Sequence, residues 1–88
     1  MDESSKTLIE AMNGIIEVMS VSTDEKAIKI ANLAKKFRST IVAYLFLNSL
    51  LDDETIPQNG KLKVMNMMME ILAIQGNIQR ELNELKKG

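Results

Sequence analysis

The sequence predicts an all-α fold, an antiparallel bundle of three or four helices. Three observations carry this reading. Apolar residues recur at helical spacing through three long segments. Four Gly and one Pro are too few for the many turns of an all-β domain. Leu, Met, Lys and Glu, all good helix formers, are abundant. At 88 residues the chain reads as one domain, residues 1–88, near the lower limit for a self-sufficient core.

The first helix is expected to start at Ser4 or Ser5 and to run to about Met19. Leu8, Met12, Ile15 and Met19 form its apolar stripe, widened by Ile9, Ala11 and Ile16. Gly14 sits mid-helix at a cost of about 1 kcal/mol relative to Ala, either to admit a close neighbour or simply tolerated. Ser20 to Thr23 form a break. Ser22 with Glu25 three residues on has the pattern of a capping box, which starts the second helix near Thr23. Its buried face should carry Ala27, Ile30, Ala34, Phe37, Ile41 and Leu45, with the two alanines letting the first helix approach. From Ile41 to Leu51 this helix turns apolar on nearly every side. Such a stretch should be wrapped by the flanking segments or by another copy of the chain. The pattern leaves open whether residues 24–51 form one helix or two, kinked at Ser39-Thr40.

Asp52 to Gly60 is the clear loop, with Pro57 and the turn dipeptide Asn59-Gly60, and Ile56 folding back as an apolar anchor. The last helix should run from about Lys61 to Lys87. Val64, Met68, Ile71, Gln75, Ile78, Leu82 and Leu85 alternate steps of four and three, a heptad seam. A second stripe, Leu62, Met65, Met69 and Leu72, predicts deep burial of the first half of this helix.

Composition narrows function. Without Cys or His there is no disulfide, thiolate site, ordinary zinc ligand or physiological-pH base. Gly-rich phosphate loops are absent. Asp52-Asp53-Glu54 lacks the ligand spacing of a calcium loop and reads as a solvated acidic turn. The expectation is a protein that is not an enzyme and uses no cofactor or metal. A net charge of −1 gives no global pull toward nucleic acid. The longest apolar run, Ile41 to Leu47, falls far short of the ~18 residues of a membrane span. The polar start MDESSK is unlike a signal peptide, so a soluble, cytoplasmic protein is expected.

The candidate partner-binding residues are Lys26, Lys29, Lys35, Lys36, Arg38, Met67, Gln75 and Arg80. The first five form a run with no acid among them, and helical spacing brings Lys26, Lys29 and Lys36 together. They read either as a solvated helix back, partly neutralised by acids of the first helix, or as a footprint for an acidic protein partner or an anionic small ligand. Duplex nucleic acid is not expected, because the stripe is modest and lacks interleaved aromatics. Met67 falls off both stripes of the last helix, and an exposed Met there points to an interface. Gln75 interrupts the apolar seam: it either fixes register or oligomeric state, or faces water. Arg80 lies on the outward side of the same helix.

Lys36-Phe37-Arg38, Ile41-Val42-Ala43-Tyr44-Leu45-Phe46, Thr55-Ile56-Pro57 and the apolar helix from Lys61 to Leu72 carry a resemblance. Together, over the last two-thirds of the chain, they resemble the small immunity proteins that protect lactic-acid bacteria from their own pediocin-like (class IIa) bacteriocins. The resemblance implies a four-helix antiparallel bundle that acts in the cytoplasm without catalysis, by recognising a bacteriocin-engaged sugar permease. The chain lacks the extended C-terminal tail of many members, so specificity contacts would come from the helix around Gln75 to Lys87. The alternative reading is a small phage- or plasmid-type homo-oligomer that sequesters an anionic nucleotide ligand or inhibits a host regulator.

Overall fold

The computed structural model describes residues 3–87. Three helices run up, down and up: α1 (Glu3–Ser20), α2 (Glu25–Leu51) and α3 (Gln58–Lys87). No strand occurs among the described residues. α1 and α3 each pack along α2, and their backbones do not neighbour each other. The result is an open arrangement built on the central helix.

Helix boundaries follow local chemistry. Asp24 caps α2: its carboxylate accepts the Lys26 N–H at 2.8 Å. Ser22 does not form the expected box with Glu25; its hydroxyl oxygen accepts the Asp24 N–H at 3.1 Å. α2 therefore begins two residues later than the capping-box pattern predicts. It then continues unbroken to Leu51. The hydroxyls of Ser39 and Thr40 donate back to the Lys35 and Phe37 carbonyls at 3.1 and 2.6 Å, so they are satisfied within the helix without breaking it.

α3 starts earlier than expected. Asn59-Gly60 lies inside its first turn, with the Lys61 N–H bonded to the Pro57 carbonyl at 3.0 Å. A Cβ at Gly60 would stand 3.1 Å from the Ile56 side chain. The glycine thus serves close approach of Ile56, which folds back half-buried, rather than a turn. In the intervening loop the Asp53 carboxylate accepts the Thr55 N–H and hydroxyl at 2.9 and 2.7 Å. The Thr55 hydroxyl and amide together hold the Asp53 carboxyl below the usual aspartate value. This local bonding is therefore complete at neutral pH and is lost only as pH falls through that lowered pKa.

The core centres on Leu33, Phe37 and Ile41 of α2 and Ile78 of α3, flanked by Ile9, Met12, Leu45, Leu82 and Leu85. Of the expected α2 face, Ala34, Phe37 and Ile41 are buried, while Ala27, Ile30 and Leu45 are half-buried. The α3 seam is legible in full: Val64, Met68 and Ile78 are buried, and Ile71, Gln75, Leu82 and Leu85 half-buried.

One burial expectation fails and another holds only in part. Leu62, Met65, Met69 and Leu72 are exposed, so the first half of α3 is not buried deeply. A helix with one helical neighbour covers one stripe, and that stripe is the seam against α2. The apolar end of α2 is wrapped only in part: Tyr44, Leu45, Leu47, Leu50 and Leu51 are half-buried, while Val42 and Phe46 stand in water. At 1.5 Å per residue α1 is about 27 Å long against about 45 Å for α3, too short to shield the whole hairpin. The radius of gyration, 15.4 Å, exceeds the roughly 12 Å of a compact domain this size.

A Cβ placed on Gly14 would meet nothing within 4 Å, so no close neighbour requires the glycine. Gly14→Ala is expected to stabilise the fold by about 0.5–1 kcal/mol, read from urea denaturation.

Candidate interaction surfaces

The basic run of α2 does not form one patch. Lys29 pairs with Glu25 at 3.7 Å, both side chains well exposed. Lys29, Asn32 and Lys36 line one side of an open cleft between α2 and α3, and Glu81 and Glu84 line the other. Lys29 thus pairs within its own helix, and the acids across the cleft from Lys29 and Lys36 are those of α3. Exposed pairs of this kind contribute little to stability. Lys26 sits at the same end, near Asp24, Glu25 and Glu84. Arg38 turns the other way: its guanidinium donates to the Asn13 side-chain oxygen of α1 at 2.8 Å. Lys35 is exposed about 100° round the helix from Lys36.

Gln75 is a packing residue. It is half-buried and donates from Nε2 to the Thr40 hydroxyl at 3.0 Å, while that hydroxyl donates to the Phe37 carbonyl. A polar link inside the α2–α3 seam fixes how the two helices slide past one another, which is the register role expected of a polar seam residue. Met67 is exposed, as its position off both stripes predicts. Arg80 is exposed and bonded to the Asn77 side chain. The eight sequence candidates therefore do not converge on one site. Gln75 and Arg38 are engaged within the fold, and the lysines are spread over two faces.

The surface that the sequence pattern underrates is apolar. Val42 and Phe46 are 52% and 63% exposed on the outward side of α2. The signal for this lies in the spacing, because Phe46 follows Phe37 by nine residues, half a turn round the helix from the buried face. Both cannot point inward when only one side of α2 faces the core. A second apolar surface is the exposed stripe of α3.

Among the described residues no group of three or more His, Cys, Asp or Glu is placed to hold a metal ion. No described helix is long and apolar enough to cross a membrane. Comparison with known proteins finds no matching family model, no matching curated protein and no matching solved structure.

The Thr40–Gln75 link can be tested by a double-mutant cycle. Thr40→Val and Gln75→Ala are each expected to cost about 1 kcal/mol. The double variant should lose less than the sum, with a coupling of about 0.5–1 kcal/mol measured by urea denaturation.

Proposed function

We propose that the protein is a non-enzymatic interaction protein whose partner docks on the outward face of α2. The observation that carries this is Phe46, a large aromatic left mostly in water beside Val42 on a well-formed helix. Buried aromatics anchor protein interfaces, and an aromatic held out in solvent is ready for that role. Lys35 and Ser39 lie on the same outward side and supply a polar rim.

The most concrete form of this reading is a cytoplasmic immunity protein that recognises a bacteriocin-engaged permease. Val42 and Phe46 fall within the stretch that carries the resemblance to that family. The chain has three helices where the resemblance implies four. The alternative, an oligomer sequestering an anionic nucleotide, draws support from Lys29, Asn32 and Lys36 along one cleft. Glu81 and Glu84 across that cleft would repel an anion, so the docking reading is preferred.

Expression of the protein in a strain sensitive to pediocin-like peptides is expected to protect it against at least one of them. Phe46→Glu should abolish protection while circular dichroism stays helical, because the side chain lies outside the core. Absence of protection against a broad panel of such peptides would overturn the immunity form of the proposal.

A further inference from the structure

α3 carries two seams, and its own chain satisfies only one. Leu62, Met65, Met69 and Leu72 are 53, 39, 67 and 51% exposed. Their steps of three, four and three are those of an a/d stripe, the pattern by which one helix packs on another. The stripe lies about a third of a turn from the seam that faces α2. We infer that a second copy of this chain covers it, α3 against α3 in antiparallel sense about a two-fold axis.

Two features favour a second copy over another occupant. First, the stripe is self-complementary. An axis level with residue 67 sets Leu62 opposite the partner's Leu72 and Met65 opposite the partner's Met69, so like meets like in both directions. Second, Asn66 and Ala73, which flank the stripe on its outer side, carry no charge, so no like-charge repulsion opposes pairing.

The four side chains are also chemically suited to the task. Two are Met, unbranched and able to repack against an identical surface. The pairing leaves the Val42–Phe46 face of α2 free, because that face points away from α3 by the same helical geometry. Self-association through α3 and docking through α2 are therefore separate properties.

Sedimentation equilibrium of the full chain, from micromolar to millimolar concentration, tests the inference. The expected mass is twice that of the chain. Met69→Glu should raise the dimer Kd by ~30-fold or more, the loss typical of a central apolar anchor. Val42→Glu should leave the Kd unchanged. Circular dichroism checks that both variants stay folded, as expected for exposed positions. The native sequence has no Cys, so Met65→Cys and Met69→Cys chains each carry a single thiol. Mixed under oxidising conditions, they should form the unlike disulfide in preference to either like pair. A monomer at every concentration overturns the inference, as does a dimer indifferent to Met69→Glu or a preference for like pairs. Protection of cells plays no part in this readout, so either reading can fail while the other stands.

Discussion

Both outer helices depend on a single packed stripe of α2. Leu33, Phe37 and Ile41 meet Ile78 of α3, and Ile9 and Met12 of α1 reach the same cluster. Ala31 and Ala34, buried on the side that also carries Arg38, keep the surface low where α1 lies. α2 supplies five buried residues, α3 three and α1 none. α1 is held by half-buried side chains and by the Arg38–Asn13 bond, so it belongs to the least firmly anchored part of the fold. The α2–α3 hairpin holds all the described buried residues and a polar register pin in Thr40–Gln75.

Much of this is legible from residue spacing alone. The 4-3 seam of α3 can be read residue by residue, because a helix packed on one neighbour shows that neighbour a single heptad stripe. The centre of the α2 face is equally clear. Boundaries are harder, since they turn on single hydrogen bonds: Asp24 outcompetes Ser22 as the cap, and Gly60 is a concession to Ile56. Apolar patterning also says which residues dislike water without saying how many neighbours are present to cover them. That is why spacing alone assigns Leu62, Met69 and Phe46 to an interior the three helices do not provide.

The charge pattern shows a related limit. Five basic residues without an intervening acid look like a patch when written in a line. On a helix they occupy positions spread over more than half the circumference, and the fold then assigns them different neighbours. Lys29 and Lys36 face the Glu81–Glu84 side of α3, Arg38 is drawn to α1, and Lys35 points to solvent. Linear charge density becomes a binding surface only when the helical projection keeps the charges on one side and the neighbouring element brings none of the opposite sign. Neither condition holds here.

The same reasoning explains why large apolar residues, rather than a concentrated charge patch, mark the outer surface of this molecule. A three-helix arrangement whose outer helices have only the central backbone as neighbour buries the facing stripes of α2 and α3 and half-buries that of α1. Apolar residues beyond those stripes have no intramolecular place to go, whatever their propensity. The sequence nevertheless keeps Leu62, Met65, Met69 and Leu72 at helix-pairing spacing, with Val42 and Phe46 one turn apart on another helix. Scattered apolar residues on a surface need no explanation. Residues in register along one helix line are different, because only a surface laid along that line can cover them together, and another helix is such a surface.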